Sequence, residues 1–568
     1  MSDKYTYEDL RKRLDNKTEA TRAKVNEYDE RVIVPFAKTL ERRVGKAQKI
    51  VGLFDFDCDG VMSALIGKQI IPEMEVHIGD RYVDGYGIMK DLSFLKEGDL
   101  VICGDLGSTE ATRVREIIDR TGEYPLIIDH HEVTDDMKNY PFLLNFCKYD
   151  DMPKDERPDW CTSGLFFQLA YHMCKTKEQF YLCALYNMCG TVADVVKVNN
   201  PYDTNREDVQ YAFEILNNEK NLKLIDRAFS YFLYKAGIEE APHVTTTLLN
   251  FNLNPVINAL GRIGTINDYG VTGGQFLFDT LDPYRDMLPA VREERINECF
   301  EVNKKRKDME KEILESEEYQ TYVKNFDKDK EKIALVYLKD LHKGLCGRIA
   351  QCLVSELSVP AICFCGSGTD ITGSARNMKG FPNMFEAVKQ AKEASNSSVT
   401  IGGHADAFGL HGSATDLKNS HLCSAIKNVY KDIEPVRVEE KPVDLSTMSV
   451  ERLLSLEPFG VDFPAPHVDE AFEIKNIKQL SGGYTAITED DVKFFGKMED
   501  AKKGLEIHAE GTLAINYYAG KETLQVSVDK HEFGKEHEQV MEKIKEREGT
   551  KEPEEDRERE NELEERGA

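Results

Sequence analysis

The chain has 568 residues, of which 41% are apolar, and a net charge of −28. A chain of this length and composition is expected to fold into several domains rather than around one core. The acidity excludes a broadly basic coat for nucleic acid but leaves room for a local basic channel, and the lack of a long apolar run or signal peptide predicts a soluble, cytoplasmic protein without a membrane partner.

The first part of the chain alternates predicted strands and helices. Apolar runs at 50–54, 100–103 and 125–128 predict buried strands, and each run ends at or near an aspartate. Helices are predicted after the first two runs, at 61–69 and from about 109. This alternation is typical of an α/β fold with a parallel sheet and helices on both faces. In such sheets, ligands bind at the carboxyl ends of the strands.

The rest of the sequence predicts a connecting helix, a second, smaller α/β lobe and a β-barrel. A charged stretch at 284–326 favours a long helix, and short alternating strands at about 471–533 favour a small barrel. After 534 the composition predicts a solvated helix or disorder. The predicted domains are 1–283 (first lobe with an N-terminal helical segment), 284–326 (connecting helix), 327–440 (second lobe), 441–534 (barrel) and 535–568 (charged tail).

Three aspartates, Asp55, Asp57 and Asp59, alternate through the turn that follows the first predicted strand. Carboxylates this close repel one another unless cations neutralise them. A solvated acidic turn is the plainer alternative, but a turn between a buried strand and a helix is a poor place for one. The pattern therefore predicts a metal site, with Gly60 allowing the chain to turn sharply.

A second acidic segment, Asp129, His130 and His131, ends another predicted strand. Carboxylates combined with neutral imidazoles suit Mn²⁺ or another borderline cation better than Ca²⁺. Asp105 and Asp194 are weak evidence singly, but they complete a ligand set large enough for two metals.

A pair of metal ions accounts for phosphoester hydrolysis, because it generates a nucleophile from water and stabilises the charge of the transition state. The sequence contains no Walker loop, dinucleotide-binding glycine pattern or nucleophile elbow that would indicate another chemistry. The residues therefore predict a metal-dependent phosphoesterase.

The order of these motifs resembles the DHH phosphoesterase superfamily, and further motifs narrow the resemblance to the RecJ single-strand-specific exonucleases over about 50–533. The resemblance implies a DHH catalytic lobe, a DHH-associated second lobe and an OB-fold barrel. The matching segments are 55–60 (Asp-x-Asp-x-Asp-Gly), 80–87 (Asp-Arg, then Gly-Tyr-Gly), 104–108 (Gly-Asp-x-Gly-Ser), 129–131 (Asp-His-His), 190–194 (Gly-Thr-Val-Ala-Asp), 258–262 (Asn-Ala-Leu-Gly-Arg), 342–344 (His-Lys-Gly), 374–376 (Ser-Ala-Arg), 402–404 (Gly-Gly-His), 457–460 (Glu-Pro-Phe-Gly) and 516–520 (Asn-Tyr-Tyr-Ala-Gly).

The resemblance also implies roles for the acidic residues. Asp55 joins or supports the metal ligands. Asp129 and His131 orient the ligands or contact the scissile phosphate, and a supporting position behind the ligands is an equally open alternative. The residues that match the family's Mn²⁺ ligands are Asp57, Asp59, Asp105, His130 and Asp194.

A site for the 5′-terminal phosphate is implied by the same resemblance. Arginine suits this role because its planar fork meets phosphate oxygens in pairs. The alternative for each arginine is a surface ion pair. The residues that match this site are Arg81, Arg262, Ser374 and Arg376.

Contacts with the nucleic-acid strand are implied for His404, with Gly402 and Gly403 allowing close approach; a loop histidine without function is the alternative. In the barrel, aromatic side chains would stack on bases. We expect half of these aromatics to be core instead, because strand residues alternate between faces. The barrel aromatics are Tyr484, Phe495, Tyr517 and Tyr518.

Three positions depart from the family pattern. Leu341 stands where a tryptophan is common, Asn377 ends the Ser-x-Arg-Ser motif, and Cys161 opens a turn that is usually alanine-rich. These changes concern substrate handling rather than the metals. The 13 cysteines show no regular spacing, and buried reduced thiols are the favoured interpretation.

The leading hypothesis is a single-strand-specific 5′-to-3′ exodeoxyribonuclease of DNA repair and recombination, which uses two Mn²⁺ ions or Mg²⁺ to release 5′-mononucleotides. Its partners would be single-stranded DNA and a single-strand-binding protein or helicase. One alternative is a related enzyme for short oligoribonucleotides or cyclic dinucleotides. Another, from a different class, is a catalytically silent DNA-binding subunit of a replication complex.

Overall fold

The computed structural model describes residues 17–85, 87–194, 196–263, 265–266, 270–403, 405–419, 421–436, 441–480, 484–498, 500–518 and 520–534. His404, Tyr86 of the Gly-Tyr-Gly motif and the charged tail at 535–568 lie outside these residues. The chain forms two compact units. Among the described residues, the first consists of 17–240, 248–436 and 460–462, and the second of 241–247, 441–459 and 463–534.

The α-helices and strands follow one another along the whole described chain. The helices are α1 (Glu19–Tyr28), α2 (Val34–Val44), α3 (Cys58–Ile70), α4 (Ala111–Thr121), α5 (Thr162–Met173), α6 (Lys177–Ala193), α7 (Asn205–Leu216), α8 (Glu219–Leu222), α9 (Arg227–Lys235), α10 (Thr246–Leu248), α11 (Asn254–Ile263), α12 (Gly273–Leu281), α13 (Pro289–Glu315), α14 (Glu317–Asn325), α15 (Cys346–Leu357), α16 (Met384–Ser395), α17 (Ala414–Asn419), α18 (Leu422–Tyr430) and α19 (Val450–Leu456). The strands are β1 (Ile50–Phe54), β2 (Glu75–Ile78), β3 (Leu100–Gly104), β4 (Leu126–Ile128), β5 (Leu143–Leu144), β6 (Thr265–Ile266), β7 (Val271–Thr272), β8 (Ala334–Tyr337), β9 (Ala361–Ser367), β10 (Asp370–Arg376), β11 (Thr400–Gly403), β12 (Ala407–Gly412), β13 (His467–Glu473), β14 (Asn476–Gln479), β15 (Tyr484–Glu489), β16 (Val492–Lys497), β17 (Glu506–Tyr518) and β18 (Lys521–Phe533).

The first lobe contains a parallel sheet of five strands in the order β2-β1-β3-β4-β5. All residues of β1, β3 and β4 are buried, which accounts for their uninterrupted apolar runs. Helix α3 packs against α5 and α6 and is buried on almost every side, so its sequence is apolar all round. The predicted parallel-sheet lobe is confirmed.

The second lobe contains a mixed sheet in the order β11-β12-β10-β9-β8, in which only β8 and β9 pair in parallel among the described strands. Helix α15 packs on β9 and β10, and an apolar cluster that includes Leu353 and Cys363 fills this side. A second cluster, with Phe364 and Ile426, packs β9 against α16 and α18. The predicted second α/β lobe is therefore also present.

The stretch between these lobes forms two helices where the sequence predicted one. Helix α13 ends at Glu315, and Ser316 has an extended backbone with ψ of 146°. The Ser316 hydroxyl accepts a hydrogen bond from the Tyr319 amide and so caps α14. A serine followed by two glutamates is a helix-start signal, and it accounts for the break.

The second unit contains a six-stranded sheet in the order β13-β17-β18-β16-β15-β14. Its two outer strands, β13 and β14, are separated in the chain only by Ile474 and Lys475. They therefore act as one bent strand that pairs with β17 at one end and with β15 at the other, which closes the sheet. Phe494, Leu513 and Val526 lie in the enclosed core.

None of the described helices combines the length and the apolar composition that a membrane span requires.

Candidate metal centre

Three neighbouring strands of the first lobe deliver aspartates to one edge of the sheet. Asp55 follows β1, Asp105 follows β3 and Asp129 follows β4. Because these strands are parallel and adjacent, the three residues meet at their carboxyl ends, where ligands bind in such sheets. All three are almost completely buried. The sequence-predicted acidic residues of this edge are therefore brought together.

The acidic turn is more ordered than the predicted loop, because α3 begins inside it. Asp57 is the N-cap of α3 and accepts a hydrogen bond from the Gly60 amide at 3.1 Å. Asp59 lies in the first turn of the helix, and its two carboxylate oxygens accept hydrogen bonds from Thr162 N at 2.7 Å and Ser163 N at 2.8 Å. The start of α5, 103 residues further along the chain, thus orients Asp59.

Asp105 adopts a left-handed backbone conformation with φ of 63°, which is rare for a residue other than glycine. Its Oδ1 accepts a hydrogen bond from the Thr162 hydroxyl at 3.0 Å. Strained backbone of this kind persists where the surrounding structure imposes it, and it is concentrated at functional sites. In this conformation Asp105 Oδ1 lies near the Thr162 hydroxyl and the rings of His130 and His131.

His130 connects two of the carboxylates. Its Nε2 is 3.4 Å from Asp194 Oδ2 and 3.7 Å from Asp105 Oδ1, while His131 Nδ1 is 3.8 Å from the same Asp105 oxygen. Among the described residues, three groups of side chains each have ligand atoms that all lie within 4.8 Å of one another: Asp55, Asp57 and Asp105; Asp105, His130 and His131; and Asp59, Cys161 and Asp194.

The electrostatics of this cluster are unfavourable without cations. Burial and the neighbouring Asp57 raise the pKa of Asp55 well above its usual value, and burial and Asp59 raise the pKa of Asp105 and of Asp194 in the same way. The pKa of Asp57 is also raised, by burial and by Asp59. Nearby positive charge would reverse these shifts, because it favours the ionised carboxylates.

The residues present fit divalent cations. Asp55 Oδ1 is buried and accepts no hydrogen bond from the described part of the chain, which is costly for a carboxylate oxygen unless a cation contacts it. Carboxylate oxygens and imidazole nitrogens in close groups are the donors that Mn²⁺ and similar ions take. The acidic cluster can therefore hold metal, whereas the identity and number of the ions remain predictions.

Asp129 and His131, the two predicted catalytic residues, form a pair. Asp129 Oδ1 is 2.8 Å from His131 Nδ1 and accepts hydrogen bonds from the His130 and His131 amides, and its Oδ2 accepts one from the Ser108 amide. Burial alone would lower the pKa of His131. The negative charge and the hydrogen bond of Asp129 outweigh this effect of burial and raise the pKa of His131 to about 10. Burial alone would raise the pKa of Asp129, but His131 holds it below its usual value. These contacts orient both side chains, and their catalytic role stays a prediction.

Sequence reasoning missed the contribution of the turn before α5. Thr162 and Ser163 hold Asp59, and the completely buried Cys161 belongs to one of the three ligand groups. Asn145 was also missed; its Nδ2 donates to Ser108 Oγ and to the His131 carbonyl. The departure of 161–164 from the family pattern was the available signal for the turn, and nothing in the sequence marked Asn145.

In the second lobe, Arg376 and Ser374 lie on the same face of β10, next to the first turn of α15. Arg376 Nη1 donates to Ser374 Oγ at 3.1 Å, and both side chains lie against Gly347 at the start of that helix. Helix N-termini favour anions, so the guanidinium, the hydroxyl and the helix start combine into a suitable position for phosphate.

Arg81 and Arg262 approach the same region from the first lobe. The Tyr82 hydroxyl donates a hydrogen bond to the Arg262 carbonyl, and burial raises the pKa of Tyr82 to about 12 although the positive charges of Arg81 and Arg262 oppose the shift. Gly344 packs so tightly against the Arg262 carbonyl that a side chain would overlap it. The predicted phosphate-binding arginines thus lie at contacting segments of the two lobes, and their function remains a prediction.

Gly402 and Gly403 end the exposed edge strand β11, and the space beside the Gly402 Cα is open. In the second unit, the expectation that half of the barrel aromatics are core is wrong. None of the four is buried, and Tyr484 and Phe495 stack in parallel with centroids 5.1 Å apart. Lys493 lies over the Phe495 ring. Core positions go to other residues, such as Phe494, so these aromatics are available to a ligand.

Comparison with known proteins agrees with this architecture. The DHH family N-terminal domain matches residues 49–191, and the DHHA1 domain matches residues 330–432. No curated protein matches the sequence. RecJ from Thermus thermophilus in complex with Mn²⁺ is 19% identical and superposes with a TM-score of 0.66, over 88% of this chain and 71% of that chain. An exonuclease RecJ bound to manganese is 18% identical, with a TM-score of 0.52 over 71% of this chain and 94% of that chain.

The chain therefore contains a DHH domain at 49–191 and a DHHA1 domain at 330–432, and it has a RecJ-like fold. Members of the DHH superfamily are metal-dependent phosphoesterases, which supports the hydrolase that the acidic residues predicted.

Proposed function

We propose that the chain is a single-strand-specific 5′-to-3′ exodeoxyribonuclease that releases 5′-mononucleotides in DNA repair and recombination. The observation that carries this proposal is the position of Arg81 between two sites. The Arg81 guanidinium lies over the ring of Phe56, the residue between Asp55 and Asp57, at 5.7 Å from the ring centroid. The neighbouring Tyr82 donates a hydrogen bond to the Arg262 carbonyl, against which Gly344 packs just before the start of α15. Arg81 therefore lies beside the acidic turn and next to the segments that lead to the helix beside Arg376.

This adjacency gives the enzyme a direction. Arg81, Arg262, Ser374 and Arg376 would hold a terminal phosphate, because guanidinium groups bind phosphate oxygens in pairs. The scissile phosphodiester would then lie at the acidic cluster. A strand with a 5′-phosphate held in this way is cleaved from that end, one nucleotide at a time.

The acidic cluster supplies the chemistry. Asp57, Asp59, Asp105, His130 and Asp194 would hold two Mn²⁺ or Mg²⁺ ions, and Asp55 would join or support them. When bound, such ions make a nucleophile of water and neutralise charge on the reacting phosphate. The chain's own contribution is to fix the ligands in place: Thr162 and Ser163 orient Asp59, and Asp129 orients His131.

The second unit supports a nucleic-acid substrate. We propose that its sheet, closed by one bent strand and with a parallel β16–β18 pair, is an OB-fold. The exposed Tyr484–Phe495 stack beside Lys493 fits base stacking and backbone contact, as in OB-folds that bind single strands. A dinucleotide-hydrolysing enzyme has no use for such a surface.

The test is a digestion time course with the full chain and Mn²⁺ or Mg²⁺. The substrates are 5′-labelled and 3′-labelled single strands, a blunt duplex and a dinucleotide. We expect the 5′ label to appear at once as a mononucleotide, the 3′-labelled strand to shorten gradually, and the duplex to resist. Preference for the dinucleotide would identify a small-substrate enzyme, and no hydrolysis with either metal would identify a silent DNA-binding subunit.

A further inference from the structure

Cys161 introduces a sulfur atom into the edge of the acidic cluster. The side chain is completely buried at the N-terminus of α5. Its Sγ, one oxygen of Asp59 and one oxygen of Asp194 all lie within 4.8 Å of one another. One cation could therefore contact all three side chains.

The turn that carries Cys161 also fixes its carboxylate neighbour. Thr162 N and Ser163 N, which directly follow the cysteine, donate to the two oxygens of Asp59. The spacing between the thiol and this carboxylate is therefore set by adjacent residues of one helix start. Cys161 Sγ itself is 3.1 Å from Ser163 Oγ.

The third side chain of the group has an oxygen that is open to a cation. Asp194 Oδ2 is buried and accepts no hydrogen bond from the described residues, and it faces His130 Nε2 at 3.4 Å. The group itself offers sulfur and carboxylate oxygen, and His130, beside Asp194, adds an imidazole nitrogen. This is the donor set that zinc takes, and thiolate ligands select softer cations than carboxylates alone.

We propose that Cys161 gives the metal centre a thiolate ligand, so that the side formed by Asp59 and Asp194 binds thiophilic divalent cations such as Co²⁺, Zn²⁺ and Cd²⁺ through sulfur. The thiol proton passes to solvent as the sulfur–metal bond forms. This inference rests on the metal centre of the proposed function and extends it to a donor that departs from the family pattern.

The test uses the full chain titrated with Co²⁺ and with Cd²⁺, and it follows the sulfur-to-metal charge-transfer absorption. We expect an absorption in the unmodified chain that falls by the share of one thiolate ligand in both Cys161→Ala and the nearly isosteric Cys161→Ser. The affinity for Cd²⁺ should fall at least about tenfold, because even residues behind the ligands cost that much when replaced. Thermal unfolding of the metal-free variants reports whether each one folds.

Two control variants separate this site from other thiols. Cys346 and Cys365 in the second lobe have Sγ atoms 3.2 Å apart and could bind Cd²⁺ themselves, so Cys346→Ala should remove only their share of the absorption. Cys423→Ala, at a partly buried thiol of the same lobe, should change nothing. Absorption that is undiminished in folded Cys161→Ala, or that falls only in Cys346→Ala, would overturn the inference.

DNA hydrolysis in the presence of Mn²⁺ distinguishes the two proposals, and electron paramagnetic resonance measures whether Mn²⁺ binds. Hydrolysis of single strands with Mn²⁺ but no band dependent on Cys161 would refute the thiolate ligand and leave the exonuclease intact. A band dependent on Cys161 without hydrolysis of any strand would support the thiolate site and refute the exonuclease.

Discussion

The two lobes of the first unit place opposite charges on their sheets. In the first lobe, carboxylates gather at the ends of parallel strands, where burial and mutual repulsion raise the pKa of Asp55, Asp105 and Asp194. In the second lobe, Arg376 and Ser374 occupy a central antiparallel strand beside a helix N-terminus. The first arrangement attracts cations and the second attracts phosphate, and a phosphodiester substrate bound with metals requires both.

The two sites also differ in how firmly they are held. Backbone amides orient Asp59 and Asp129, and the left-handed backbone of Asp105 is imposed by its surroundings. Arg376 is a long side chain that is only partly buried. The metal centre is thus held in a fixed arrangement although its carboxylates repel one another. The arginine site, in contrast, has a side chain that can change conformation. Substitutions in the two sites should therefore have different consequences.

The largest effect is expected for Asp194→Ala. Metal ions contribute several kcal/mol to the stabilisation of the transition state, so kcat/KM on single-stranded DNA should fall by about 10³-fold or more. The melting temperature of the metal-free protein should not fall, because the substitution removes one of the repelling charges. Asp135→Ala, whose side chain is 99% exposed, is the control for both measurements. Activity within tenfold of the unmodified chain would contradict the assignment.

Arg376→Ala should have an intermediate effect that depends on the substrate. A charged hydrogen bond to phosphate contributes roughly 1.5–3 kcal/mol, so kcat/KM for 5′-phosphorylated strands should fall about 10- to 100-fold. Strands with a 5′-hydroxyl should be affected much less. The control is Arg227→Ala, which removes an arginine that is 77% exposed and paired with Glu293. Equal losses on both kinds of strand would argue against a terminal-phosphate site.

The Tyr484–Phe495 stack of the barrel should affect the affinity for DNA rather than the rate of the chemical step. Tyr484→Ala or Phe495→Ala should weaken binding of single-stranded DNA by about 1–3 kcal/mol, as expected for the loss of one stacked base. The dissociation constant is best measured in the inactive Asp194→Ala background. Tyr234→Ala removes a tyrosine of the first unit that is 49% exposed and serves as the control. An unchanged dissociation constant in both barrel variants would exclude this stack as a binding surface.

The smallest effect is expected between the lobes, at the cap of α14. Ser316→Ala should reduce the free energy of unfolding in urea by about 1 kcal/mol, because the Tyr319 amide loses its hydrogen-bond acceptor. Ser316→Asp should restore most of this loss. The exposed helix residue Ser355 provides a control, Ser355→Ala, that should leave stability nearly unchanged. A loss of the same size in that control would show that the loss of any serine hydroxyl, rather than of this cap, sets the effect, because alanine is the better helix former.

Much of the first lobe could be predicted because its strands are buried on both faces and end in aspartates. The same pattern fixed the edge at which Asp55, Asp105 and Asp129 meet. What could not be predicted are contacts between distant segments, such as the hydrogen bonds from Thr162 and Ser163 to Asp59. Threonine and serine are common in turns, so their presence does not predict a hydrogen bond to a residue far away in the chain.

The barrel shows a different limit. Alternation along a strand predicts that half of the positions point inwards, but it does not say which aromatic residues occupy them. Here Phe494 is in the core and its neighbour Phe495 is outside, so these two residues alternate between faces as expected. The four aromatics that the sequence analysis named are all outside the core. Ser316 is a helix-capping residue type, so the break before α14 could have been predicted from the sequence. The charged composition around Ser316 led instead to the prediction of one continuous helix.

The tight packing of Gly344 against the Arg262 carbonyl limits which substitutions the chain can accept. A methyl group at position 344 would overlap that carbonyl, so a library of variants selected for activity should retain glycine there almost exclusively. Lys343, the preceding residue, forms an ion pair with Asp370 near the surface and should accept many replacements. Two adjacent positions of one short segment would thus differ sharply in mutational tolerance, and the boundary between them would mark where the two lobes meet.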